Sequence, residues 1–330
     1  MGKFLPRKCA FVMKVLVTGA SGFIGKLLCE ELVRETKLVV VAVRAGNLKL
    51  RGIESQVVGD IDGQTNWQAA LQGTEVVIHL AARVHVMNDN AVDSIAEFRK
   101  VNVDGTLNLA QQAANAGVKR FIFISSIKVN GEHTELVKPF KEVVAANPQD
   151  AYGISKHEAE QGLLLIAQQT GMEVVIIRPP LVYGAGVKAN FASMMMTVRR
   201  GIPLPLGAIH NKRSFVYVGN LVSLIMRCTD HPAAANQIFL VSDGQDLSTT
   251  ELLQGCAKAL GIKSRLLPMP QKLVEACAIL LGRRALAQRL CGNLQVDITK
   301  TRELLSWQPP FSVSDGLKAT ALGMDELNRK

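Results

Sequence analysis

Aromatic residues make up only 5% of this 330-residue chain, and no basic run is interleaved with them. The stacking platforms that bind bases are therefore missing, and nucleic acid is excluded as a partner despite a net charge of +10. The basic residues are scattered, with doublets at Arg199-Arg200 and Arg283-Arg284 but no long tract. That pattern suits an anionic small ligand. Cysteine is scarce: the six, at positions 9, 29, 228, 256, 277 and 291, form no CxxC pair. Their irregular spacing excludes a disulfide framework and reads as reduced core residues. The six histidines (79, 85, 133, 157, 210, 231) lack metal-ligand spacing and a carboxylate cluster, so no metal is expected. A nucleophile elbow and a P-loop lysine are also missing, which removes acyl and phosphoryl transfer. No apolar run is long enough for a bilayer. The most apolar stretch, 273–281, leads directly into Arg283-Arg284 and reads as a core helix, with peripheral membrane or partner docking as the second reading. The chain opens without a signal-peptide pattern, so a cytoplasmic protein is expected. The first dozen residues precede the first strand and read as an extension, with Met13 as a second candidate start.

Against these absences stands a hydrophobic content of 48%, enough for a substantial core. Residues 14–18 (KVLVT) form an apolar, β-branched run ending in glycines, as a buried parallel strand does before a turn. Helical spacing follows over 23–35, and the alternation repeats. Strands are predicted at 38–43, near Val57-Val58, and at 75–80, 120–125 and 173–178; helices are predicted from Trp67, over 93–116 and from Tyr152. Strands separated by helices imply a parallel sheet covered on both faces, hence an α/β, doubly wound fold of the Rossmann kind. The pattern changes at Pro179-Pro180. A dinucleotide-binding domain is expected over 13–178 plus 214–241, where SFVYV and QIFLV offer strands able to rejoin the sheet. A smaller, discontinuous, mostly helical substrate domain is expected over 179–213 plus 242–330.

The strongest local motif is TGASGFIG at 18–25, lying between a strand and a helix. Gly19 permits the tight turn, Gly22 lets backbone N–H groups approach a pyrophosphate, and Gly25 lets the helix pack closely on the strand. Its spacing is GxxGxxG, not the commoner GxGxxG. Ser21, Phe23 and Ile24 complete the turn. At the end of the second strand, where NAD enzymes usually carry an acid for the ribose hydroxyls, stands Arg44. A guanidinium there pairs with a 2′-phosphate and favours NADP(H), with NAD(H) as the alternative; the plainer reading of Arg44 is a solvated strand-end residue. Asp60-Ile61 is a candidate adenine contact, or a turn. Tyr152-Gly-Ile-Ser-Lys156 places a phenol and an ammonium on one helix face. Lys156 and a nicotinamide cation together would draw the phenol down to a value useful for proton exchange near neutrality. Ser125 and Ser126 sit at the carboxyl end of the fifth strand, where open α/β sheets bind ligands.

With these motifs in place the chain resembles the extended short-chain dehydrogenase/reductases, within them the nucleotide-sugar epimerase/dehydratase group. HLAAR (79–83), VNVDGTLNLA (101–110), FISSIKVNG (123–131), RPPLVYG (178–184), RSFVYVGN (213–220) and LLSWQPPFSVSDGL (304–317) extend the match over nearly the whole chain from Lys14. The resemblance implies Ser126, Tyr152 and Lys156 as the catalytic trio. It implies Leu80, Ala81, Ala82 and Pro179 as cofactor contacts, beside the glycine turn. Substrate contacts are implied at Arg83, Ser126, Asn190, Arg213 and Arg289, with Arg213 and Asn190 gripping a nucleotide diphosphate. A UDP-sugar substrate and a homodimer also follow from it. Sugar dehydratases of this group carry an acidic pair after the catalytic hydroxyl, whereas this chain has Ile127-Lys128, so water elimination is not expected. Arg44 suits an exchangeable NADPH, and the late-chain pattern with SSIKVNG looks most like bacterial enzymes of the group that reduce a UDP-4-keto-6-deoxy-N-acetylhexosamine at C4, so the resemblance implies NADPH-dependent formation of UDP-QuiNAc or UDP-FucNAc for surface polysaccharide. The alternative is a UDP-sugar 4-epimerase using bound NAD, and a third is a non-catalytic NAD(P)-sensing protein.

Overall fold

The structure, a computed structural model, describes residues 12–46, 52–84 and 94–328. Alternation of strands and helices runs through it in the order β1 (Lys14–Thr18), α1 (Phe23–Arg34), β2 (Leu38–Val43), β3 (Ile53–Val57), α2 (Gln68–Leu71), β4 (Val76–His79) and α3 (Ser94–Arg99). A π-helical turn over Lys100–Gly105 links α3 to α4 (Thr106–Asn115), followed by β5 (Arg120–Ile124), α5 (Ala151–Thr170), β6 (Glu173–Arg178) and β7 (Leu181–Tyr183). Then come α6 (Ala189–Arg199), β8 (Phe215–Tyr217), α7 (Val218–Asp230), β9 (Gln237–Leu240), α8 (Thr249–Ala259), α9 (Gln271–Leu280), α10 (Arg284–Cys291), α11 (Thr299–Leu305) and α12 (Val313–Asn328).

Seven strands form one sheet in the order β3-β2-β1-β4-β5-β6-β9, and every pairing is parallel. Strands β1, β4, β5 and β6 are almost wholly buried, which is why they read as continuous apolar runs. One face is covered by α1 and α7, whose buried residues Leu28, Leu32, Leu221 and Ile225 pack on Val15, Ile78 and Ile122. The other is covered by α2, α4 and α5 through Ala70, Leu109 and Leu163. Strand order reverses between β1 and β4, and the crevice at their carboxyl ends is where doubly wound sheets take ligands.

Two expectations change. The strand at 214–218 does not rejoin the main sheet: β8 pairs with β7 in a separate two-stranded sheet, and only β9 reaches the β6 edge. Pro179-Pro180 ends the β6 ladder, because proline has no N–H to donate, and the chain after it leaves the sheet plane. The helix expected over 93–116 is present as one continuous helical run from Ser94 to Asn115 that winds as a π-helix over Lys100–Gly105, and Asp93 lies outside the described residues. The 273–281 stretch is not a core helix: Val274 alone is buried in α9, while Leu280 is 86% exposed. Cys277 on that helix is exposed, unlike Cys29, Cys228, Cys256 and Cys291, which are buried thiols; Cys9 lies outside the described residues. A third apolar cluster, built from α6, α8 and α12 around Met195, Leu253 and Leu317, packs beyond the sheet.

Candidate functional site

The turn between β1 and α1 is pressed against the chain leaving β4. Gly19 has φ +71°, and a Cβ there would stand 2.8 Å from the Ala81 nitrogen. At Gly25 a Cβ would fall 2.3 Å from the Gly19 carbonyl oxygen, so the first turn of α1 packs on the glycine turn only without a side chain. Gly22 caps α1 in extended conformation, Ser21 and Gly22 are exposed, and no acidic residue occupies the first turn. The free N–H groups and positive end of the helix therefore face the crevice. That is the cradle a pyrophosphate fits, and Phe23 and Ile24 flank it half-buried.

Below the turn lies a group the sequence reading passed over. His79, fully buried at the end of β4, bridges Thr18 Oγ1 (2.7 Å to Nδ1) and Thr106 Oγ1 (3.0 Å to Nε2). Burial, with Lys156 adding repulsion, lowers it to about 3, so the ring is neutral. Thr18 Oγ1 also accepts from the Ala81 N–H at 3.2 Å. A second omission is Asn102, in the π turn. Its Oδ1 accepts from the Arg83 N–H (2.8 Å), and its amide donates to the Arg83 carbonyl and to Ser155 Oγ (3.0 Å each). It ties the Leu80–Ala81–Ala82–Arg83 segment to α5. Asn102 lay in view within VNVDGTLNLA; the signal was a buried asparagine on an apolar helix, which needs partners.

Helix α5 presents Tyr152 and Lys156. Asp150 caps it by accepting from the Gly153 N–H at 2.7 Å. Lys156 is buried; its Nζ donates to the Ile124 carbonyl at 2.8 Å and lies 4.3 Å from the Phe123 ring centre and 6.0 Å from that of Tyr152. Burial lowers its ammonium to about 7, with Glu160 opposing. Tyr152 is half-buried, with Phe98 edge-on at 6.2 Å. Desolvation, then the Asp150 charge, push its phenol above the ordinary value. The expected depression of Tyr152 by Lys156 is thus absent from the protein's own groups, because the ammonium is directed at Ile124 and burial outweighs it.

Ser125 and Ser126 separate cleanly. Ser125 is buried and donates to Glu160 Oε1 at 2.5 Å, and Glu160 is clamped by Arg178 at 2.9 and 2.5 Å. Ser126 is half-buried; among the described residues its Oγ accepts from the Lys128 N–H at 3.3 Å and makes no other hydrogen bond, at the start of a 3₁₀ turn. The second serine is therefore the one left available at the strand end. Ile127 is buried, and Lys128 turns to Asp150 and Glu132. Although burial lowers it, these two carboxylates hold the Lys128 ammonium above its usual value. Pro179 is buried beside the serines, its carbonyl accepting from the Ile127 N–H at 3.0 Å.

Farther out, Arg44 and Asp60 meet at the ends of β2 and β3, 3.9 Å apart and both more than four-fifths exposed. Ile61 packs on Gly105. Arg83 lies 3.8 Å from Glu97 and over the Phe98 ring. Arg213 donates to the Gly292 carbonyl at 3.2 Å. Burial, then repulsion from Arg289, lowers it, so the two guanidiniums are close enough to oppose one another. Asn190 lies in the first turn of α6, and its side chain is outside the described residues. Among the described residues no cluster suits a metal ion and no helix is long and apolar enough to cross a membrane.

A glycine turn against the switch point of a parallel sheet, with Tyr152 and Lys156 on the helix after β5, defines an NAD(P)-dependent short-chain oxidoreductase. The model of the NAD dependent epimerase/dehydratase family matches residues 15–242. The chain belongs to that family. It is 49% identical over 318 residues to a UDP-glucose 4-epimerase of Vibrio cholerae, covering 96% of this chain and 97% of that one. An N-acetyl-alpha-D-glucosaminyl-diphospho-ditrans,octacis-undecaprenol 4-epimerase of Escherichia coli O157:H7 is 28% identical, covering 93% of each chain. The solved structure of a Thermotoga maritima UDP-glucose 4-epimerase with UDP-glucose superposes with a TM-score of 0.76 at 26% identity, covering 96% of this chain and all of that one. The expected 4-reductase finds no counterpart among these relatives, and the alternative 4-epimerase does.

Proposed function

We propose that the chain is a UDP-sugar 4-epimerase that inverts C4 of a UDP-hexose or UDP-N-acetylhexosamine with resident NAD. The observation that carries the reading is the 49% identity to a UDP-glucose 4-epimerase over nearly the full length of both chains. The glycine turn and α1 would hold the dinucleotide pyrophosphate, with Leu80, Ala81, Ala82 and Pro179 along its path. When bound, the nicotinamide supplies reversible hydride exchange at C4. Tyr152 exchanges the C4-hydroxyl proton. Ser126, free of the Glu160 clamp, orients the C4 oxygen, and Lys156 holds the cofactor ribose. Arg213 and Arg289 share the substrate diphosphate, which would relieve their mutual repulsion. The third apolar cluster supplies the sugar-binding lobe over 179–213 plus 242–330.

The reductase reading keeps one specific support, Arg44 at the end of β2, which suits a 2′-phosphate and an exchangeable NADPH. Hydride balance separates the two. An epimerase returns its hydride, so UDP-N-acetylglucosamine or UDP-glucose equilibrates with its C4 epimer with no change at the reduced-nicotinamide absorbance. Absence of C4 epimer, with one NADPH oxidised per UDP-4-keto-6-deoxy-N-acetylglucosamine, would replace the epimerase with the reductase.

A further inference from the structure

Helices α9 and α10 form a hairpin whose apolar side chains are mostly turned to water. Leu280 is 86% and Leu281 75% exposed at its tip, and Leu273, Ile279 and Leu286 are each over two-fifths exposed along its flanks. Exposed apolar clusters of this kind mark interaction sites. Over 271–291 the hairpin carries Lys272, Arg283 and Arg284, with Arg289 toward its base, against a single acid, Glu275, and Glu275 already accepts from Gln271 at 2.9 Å. Exposed Arg283 and Arg284 directly follow the leucine tip, and exposed Lys272 lies at the other end of α9.

We propose that this hairpin is a docking element for an anionic lipid bilayer, with the leucine tip in the headgroup boundary and the basic collar on acidic lipids. Helices of ten and eight residues are too short to span, so the element lies in the interface plane, where a basic rim around an apolar face is the required chemistry. A second copy of the chain fits less well, because a twofold contact would set these like charges against one another. The base of the hairpin joins the site: Gly292, directly after α10, accepts from both Asn211 (2.9 Å) and Arg213 (3.2 Å). Docking would therefore hold the Arg213–Arg289 end of the crevice next to the headgroup layer. The inference is independent of whether the enzyme epimerises or reduces.

The test is cosedimentation of the full-length protein with phosphatidylcholine vesicles, with and without phosphatidylglycerol, across a salt series. Binding is expected only to the anionic vesicles and should weaken as salt rises. Arg283→Gln with Arg284→Gln should lower the partition constant roughly thirtyfold, from the attraction of two surface charges to the leaflet. Leu280→Ser with Leu281→Ser should remove the binding that survives moderate salt. Both variants should keep the wild-type melting temperature, since the altered side chains are exposed. No sedimentation with anionic vesicles at low salt would overturn the proposal. So would undiminished binding by the leucine variant, which would mean charge adsorption alone. A dimer-to-monomer shift in the leucine variant by analytical ultracentrifugation, without vesicle binding, would assign the patch to a second copy and overturn it equally.

Discussion

Glu160→Gln tests the buried support under the strand ends most directly. Glu160 is wholly buried and Arg178 has a side-chain exposure of 5%. The carboxylate takes two guanidinium hydrogen bonds and the Ser125 hydroxyl, while Arg178 Nη1 reaches Asn130 Oδ1 at 3.0 Å. Glutamine keeps the shape but removes the charge, leaving a buried guanidinium uncompensated. Breaking one side of such a pair costs about 3–5 kcal/mol. At about 2.1 cal/mol/K of unfolding entropy per residue, a chain of 330 residues would show a fall in melting temperature of roughly 4–7 °C. The assay is thermal and urea denaturation of wild type, Glu160→Gln, Arg178→Met and the double variant Glu160→Gln with Arg178→Met. The double variant should lose less than the two single losses together, because neither charge is then left alone, and the coupling should exceed about 1 kcal/mol. A Glu160→Gln variant within about 1 kcal/mol of wild type, or strict additivity, would show that the pair is not the clamp its geometry describes.

Tyr152→Phe should leave melting temperature and cofactor affinity nearly unchanged while lowering turnover at least roughly a hundredfold, as loss of a proton-transfer group does; near wild-type turnover would remove Tyr152 from the mechanism. Arg44→Asp should shift the ratio of NADPH to NADH dissociation constants toward NADH, because a carboxylate repels a 2′-phosphate and accepts from a ribose hydroxyl. An unchanged ratio, measured by fluorescence titration, would mean that Arg44 and its Asp60 partner never meet the ribose. His79 is lowered to about 3 in the folded chain against about 6.5 unfolded. The unfolded chain thus takes up the proton first, and stability falls as pH drops from about 6.5 toward 3. In His79→Gln, which keeps a donor and an acceptor for Thr18 and Thr106, urea midpoints should decline less steeply over that range. An identical decline would place the acid sensitivity elsewhere.

Much of the molecule was legible along the chain because its signals are local. A buried parallel strand is a short β-branched run, the β1–α1 turn needs glycine where φ is positive or backbones nearly touch, and a tyrosine and lysine four apart share a helix face by helical geometry alone. Those patterns determined the doubly wound sheet, the glycine turn at 18–25 and the pairing of Tyr152 with Lys156. What the chain's order did not reveal are properties of packing between distant segments. Ser125 and Ser126 are adjacent, and only Glu160 and Arg178, 35 and 53 positions after Ser125, decide which hydroxyl is held and which is left available. The Lys156 ammonium is lowered and the Tyr152 phenol raised because tertiary burial removes water from both, an effect that spacing does not report. Residues 273–281 have the composition of a core helix, yet α9 is left outside the core, since hydrophobicity states what a segment gains by burial and not whether another surface is there to cover it.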